Sequence, residues 1–138
     1  MGRRAARDAL RERRLDEVTS LAERLLFDIA RMAAGHHVDL DAYVSPDVGH
    51  AMRDALRPFR EAGHVVRPDF GLHAELRVEG NLLDEASPVA AVVDFEDRSV
   101  RESAMGGRLP ASRRRVRLAM SIRLDRGCIT GAQVVLPS

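Results

Sequence analysis

The sequence predicts an α+β fold, with N-terminal helices packed on the concave face of a curved, about four-stranded antiparallel sheet. Three observations predict it. No glycine or proline falls between Arg4 and Ala34, and apolar residues recur there with helical spacing. After Gly63 the apolar period drops to two. The chain then closes with two alternating segments joined by Asp125-Arg126-Gly127, a tight-turn sequence.

The first helix carries Leu15, Val18, Leu21, Ala22, Leu25, Leu26, Ile29, Met32 and Ala33 on one broad apolar face, and Gly35 ends it. Residues 1–14 differ. Their apolar positions are mainly Ala, set among Arg3, Arg4, Arg7, Arg11, Arg13 and Arg14. They are expected to form an exposed, Arg-rich helical leader, with residues 15–138 a single α+β domain. Asp39 suits a cap for a short turn over Leu40–Tyr43. Ser45-Pro46-Asp47 is a helix start, with Ser45 as N-cap, Pro46 at the first helical position and Asp47 favoured by the macrodipole. Val48, Met52, Leu56 and Phe59 share the next helix's apolar face, and Gly63 closes it.

Four strands are expected to follow. Leu72, Ala74, Leu76 and Val78 alternate with His73, Glu75, Arg77 and Glu79. Gly80–Pro88 is a connection. Val89, Ala91, Val93 and Phe95 begin a long strand expected to run on towards Arg101 or Glu102. Val116, Leu118, Met120, Ile122 and Leu124 alternate with Arg115, Arg117, Ala119, Ser121 and Arg123, and the segment from Cys128 to Leu136 is the last strand.

The bulk numbers set limits. A chain of 138 residues fits one domain with a real core. Its 22 basic and 21 acidic residues give a net charge of +1 and no global field, so no nucleic-acid partner is expected. All the basic residues are Arg, a bias that points to a high-GC genome of the actinobacterial kind. Aromatics are 4%, too few for a base-stacking platform. The single Cys128 excludes an internal disulfide and a cysteine-based zinc site. No apolar run is long enough for a transmembrane segment. A cytoplasmic location is expected, beside a membrane only through a partner.

The order of helices and strands, the phrase AYVSPDVGHAMRDAL before the strands, and the ending VRLAMSIRLDRGCITGAQVV together resemble the nuclear transport factor 2-like, cystatin-like cone superfamily. The resemblance spans about Leu15 to Leu136. It implies either a small-molecule isomerase, dehydratase or cyclase, or a non-catalytic assembly domain such as that of the mitochondrial inner-membrane translocase tether. The chain departs from many members in having no Trp in its final strands.

An enzyme of that kind needs ionisable groups aimed inward, with pKa values tuned by burial. The inward strand residues here are all apolar, and the charges fall on the opposite register: Glu75, Arg77 and Glu79; Asp94 and Glu96; Arg115, Arg117 and Arg123. A β-bulge turning Asp94 inward is the route to a catalytic site, with Tyr43 as acid or oxyanion donor or with His50. That is the alternative reading, and it brings a small-molecule ligand. His36 and His37 follow a helix end, His50 and His64 are far apart, and His73 lies among outward charges, so no metal and no cofactor are expected. No phosphate-binding loop or nucleophile-elbow motif occurs. The favoured reading is non-enzymatic. Ala90, Val92, Ala119 and Ser121 face outward yet are small or apolar, with Arg117 at their rim, which suits an interface for a homodimer or another protein partner.

Overall fold

The computed structural model describes residues 2–61, 65–70, 74–102, 107 and 114–135. Gly63, His64, Leu72, His73 and Leu136 lie outside them. Two helices, α1 (Arg3–Ala33) and α2 (Pro46–Glu61), precede six strands: β1 (Val65–Arg67), β2 (Glu75–Glu79), β3 (Val89–Asp97), β4 (Val100–Glu102), β5 (Arg114–Arg123) and β6 (Cys128–Val135). The architecture is α+β, with a four-stranded antiparallel sheet in the order β2-β3-β5-β6 and a separate β1-β4 pair.

Helix α1 buries Arg14, Val18, Ala22, Leu25, Asp28 and Met32, a stripe with steps of three and four residues. It ends at Gly35, whose φ of +93° only glycine adopts at no steric cost. Across that glycine the His36 N–H bonds Arg31 O and the Gly35 N–H bonds Met32 O, which satisfies two of the helix's last carbonyls. The segment that follows turns at Asp39, whose Oδ1 accepts the Asp41 N–H, and at Leu40, whose carbonyl accepts the Val44 N–H. Val44 then bridges Ile129 in parallel: the Ile129 N–H bonds Tyr43 O, and the Ser45 N–H bonds Ile129 O. This short stretch ties the start of α2 to β6.

The sheet follows the two-residue period. Val89, Ala91, Val93 and Phe95 of β3 and Val116, Leu118, Met120 and Ile122 of β5 are buried on one face. They meet Val18, Ala22, Leu25 and Met32 of α1 and Leu40, Tyr43 and Val44 of the connecting segment in one core. At about 25 cal/mol per Å² of apolar surface removed from water, this burial is the main force holding helix to sheet. β3 and β5 pair without interruption from Val89↔Ile122 to Asp97↔Arg114.

Several expectations need correction. Leu15 is 40% exposed, and Asp28 occupies a buried position of the helix stripe. Arg14, assigned to the exposed leader, is buried at 7% exposure, because its guanidinium finds partners beside the β2–β3 connection. Ala74 precedes β2 and is exposed. The long strand from Val89 is broken at Arg98 and Ser99. There the Asp97 carboxylate accepts the Ser99 N–H at 2.9 Å and Asp69 O accepts the Arg98 N–H, so the chain leaves the sheet and β4 pairs with β1 instead.

Candidate functional site

The outer face of the sheet is a grid set by the strand register. Its central rows are Arg77–Val92–Ala119–Gln133 and Glu79–Ala90–Ser121–Gly131. The row beyond, Glu75–Asp94–Arg117–Val135, is charged on three strands. The middle therefore carries nothing larger than Val92. The Gly131 position is so close that an added Cβ would stand 3.4 Å from the Ser121 Cβ. Val92, Ala119 and Ser121 are half-buried within the monomer, and Ala90 is exposed.

Asp94 lies in that outer face. Arg117 Nε and Nη2 donate to its two carboxylate oxygens at 2.7 and 3.1 Å, and Arg77 approaches at 3.5 Å. The Arg117 hydrogen bonds, reinforced by its charge, hold the Asp94 carboxyl below the usual carboxylate range. A carboxylate held ionised in this way is a weak base. The register shift in the sheet falls elsewhere, between Ser121 and Ile122 of β5 as they pair with β6, and leaves the β3–β5 register at Asp94 intact. At the end of β5, Arg123 makes a similar two-point pair with Asp125, at 3.1 and 2.8 Å.

Tyr43 is on the other side of the sheet, in the core, and its hydroxyl donates to Asp28 Oδ2 at 2.6 Å. The Arg24 guanidinium lies 4.1 Å from the centroid of the Tyr43 ring, a cation–π distance. Burial, then the hydrogen bond to Asp28, pushes the Tyr43 phenol well above its ordinary value. His50 is exposed on α2, two positions from the buried Val48 and so on the opposite side of that helix. Asp94, Tyr43 and His50 are thus not brought together. The buried acid that does meet Tyr43 is Asp28. Its signal was in the sequence, since residue 28 falls three after Leu25 and four before Met32 on the apolar stripe.

The other buried charge among the described residues is Arg14, which donates to Leu82 O and to Glu85 Oε1, both at 2.5 Å. Among the described residues no group of three or more His, Cys, Asp or Glu side chains is placed to hold a metal ion. No described helix is long and apolar enough to cross a membrane. No family model matches this chain, and no curated protein or solved structure matches it.

Proposed function

We propose that the protein is a non-enzymatic binding and assembly module that pairs with a second copy through the outer face of its four-stranded sheet. The observation that carries this is the flat centre formed by Ala90, Val92, Ala119, Ser121 and Gly131, bordered by Arg117, Asp94, Arg77 and Glu79. A two-fold axis brings such a face against itself, so flat centre meets flat centre. The border carries both signs of charge, which lets the two copies pair at the rim instead of repelling. On the opposite face of the sheet, buried side chains of α1 and of the 38–44 segment pack with those of β3 and β5 in one core, and this supports a packed interior over a reaction chamber. The same order of helices and strands keeps kinship with the nuclear transport factor 2-like superfamily as part of the proposal, with a bacterial cytoplasm as its place of work.

Light scattering tests it. The parent is expected at twice the chain mass, and Ala119→Glu at the monomer mass, because a carboxylate at the contact centre loses its water without gaining a partner. A parent that stays monomeric at high concentration overturns this reading.

A further inference from the structure

The net charge of +1 conceals a division in space. Residues 2–14 hold six arginines against Asp8 and Glu12, a net of +4. The remaining sixteen arginines stand against nineteen acids, a net of −3. The basic part is the start of α1. Gly2–Arg13 is exposed throughout, apart from the half-buried Leu10, and α1 runs unbroken from it into the core. Its root is pinned where Arg14 bonds Leu82 O and Glu85. The arm is therefore a stiff helical rod, and it has no joint at which to fold back on its own acidic body.

Helical spacing aligns the charges. Arg3, Arg7 and Arg11 are each four residues apart, with Arg4 beside them, so they form one basic stripe. Arg3, Arg4 and Arg7 make no ion pair among the described residues, and Arg11 reaches only Asp8, at 3.7 Å. The helix start adds to the field. Its first turn has no acid and Gly2 provides no side-chain cap, so the positive end of the macrodipole coincides with Arg3 and Arg4. That arrangement is unfavourable until an anion covers it. The rod from Arg3 to Arg13 is about 16 Å long, and the Debye length at physiological salt is about 8 Å. Its tip is thus screened from the acidic body.

We infer that this arm is a docking element for the phosphate backbone of duplex nucleic acid, read without regard to base sequence. Arg forks suit phosphate oxygens, and a row of them along a helix suits a continuous line of phosphates. The reverse side of the arm is Ala5, Ala6 and Ala9 beside Glu12 and Arg13, and the half-buried Leu10 lies on the side of the stripe itself, so the arm has too little apolar bulk to hold a lipid surface. Duplex fits better than single strands because backbone contacts need no aromatic platform, and the arm has none. This inference does not rest on the assembly reading: it concerns a different surface and separate residues.

The test uses the full chain with a labelled mixed-sequence DNA duplex, followed by fluorescence anisotropy. Vesicles of phosphatidylglycerol and phosphatidylcholine, and poly-glutamate, are the competing ligands. The parent is expected to bind duplex at about 50 mM salt and to lose roughly 100-fold in affinity by about 200 mM, the dependence for about four phosphate contacts. The triple variant Arg3→Glu, Arg7→Glu, Arg11→Glu is expected to abolish binding. Acids in the first turns favour the helix, so circular dichroism and melting should match the parent and separate lost binding from lost fold. Three results each overturn the inference: no duplex binding by the parent at about 50 mM salt, undiminished binding by the triple variant, or tighter binding to vesicles or poly-glutamate than to duplex.

Discussion

Tyr43 donates its hydroxyl proton to Asp28 Oδ2 at 2.6 Å, and both side chains are almost wholly buried. The bond joins the last third of α1 to the segment that crosses to β6. A carboxylate taken out of water is costly unless it is hydrogen-bonded. The tyrosine supplies that bond while its ring fills core volume, and Arg24 covers the ring from the solvent side. The lone tyrosine thus fastens the connecting segment to the helix.

The raised Tyr43 pKa has a sign that can be tested. A tyrosine that keeps its proton in the folded state, while the unfolded chain loses it near pH ~10, favours folding fully below that value. The contribution fades as pH rises further. Stability should therefore fall steeply above pH ~10 in the parent, and less steeply in Tyr43→Phe. The chain has one Tyr and no Trp, so phenolate absorbance reads this group alone. A native-state titration at the ordinary tyrosine value would show that the phenol is not held by Asp28.

Tyr43→Phe should also cost stability at neutral pH, by about 1–3 kcal/mol, because the Asp28 carboxylate stays buried without its donor. Pairing it with Asp28→Ala measures the coupling. The double variant should be no less stable than the sum of the singles implies, and denaturant unfolding decides it.

Leu118 is 1% exposed at the centre of β5, in the core that the sheet shares with α1. Leu118→Ala should lower the unfolding free energy by about 2–5 kcal/mol, the range for buried large-to-small changes. A value within error of the parent would mean that the inner face of the sheet is not the core.

Arg14 separates two roles along one helix. Deleting residues 2–13 should leave the melting temperature nearly unchanged, since they bury little. Arg14→Ala should cost about 1–3 kcal/mol by removing a charged donor from Leu82 O and Glu85. Thermal melts of the two variants suffice, and an equal loss from both would make the arm part of the core.

The helix–meander order was legible because period alone separates α1 from β3, β5 and β6. The inward faces of β3 and β5 came out residue by residue for the same reason. What stayed hidden depended on contacts between distant segments. Arg14 reads as one more arginine of a basic leader until Leu82 and Glu85, sixty-eight and seventy-one residues away, are placed beside it. The break after Asp97 depends on its side chain capturing the Ser99 N–H, which alternation in the sequence does not encode. Asp28 reads as an interruption of an apolar stripe until its partner Tyr43 is placed beside it. The outer-face residues Ala90, Val92, Ala119 and Ser121 were identifiable from alternation, and the register sets them in adjacent pairs, Ala90↔Ser121 and Val92↔Ala119.

The Asp94–Arg117 pair gives the last prediction. Each partner shifts the other towards its charged form: Arg117 lowers the Asp94 pKa through its hydrogen bonds, and Asp94 raises that of Arg117. A carboxyl depressed in the folded state contributes stability that is present above its unfolded value, near pH ~4. That contribution is lost as pH falls towards the depressed folded value. The parent should thus lose slightly more stability than Asp94→Asn between neutral pH and pH ~3. The pair is on an exposed sheet face, so its coupling should be small and should shrink with added salt. A double-mutant cycle of Asp94→Ala and Arg117→Ala in urea, at low and high salt, measures it. A larger coupling that salt does not touch would mean that the pair is shielded from water in solution. A second chain covering this face is what the proposed assembly would supply, so the cycle repeated in Ala119→Glu should then return to the small, salt-sensitive value.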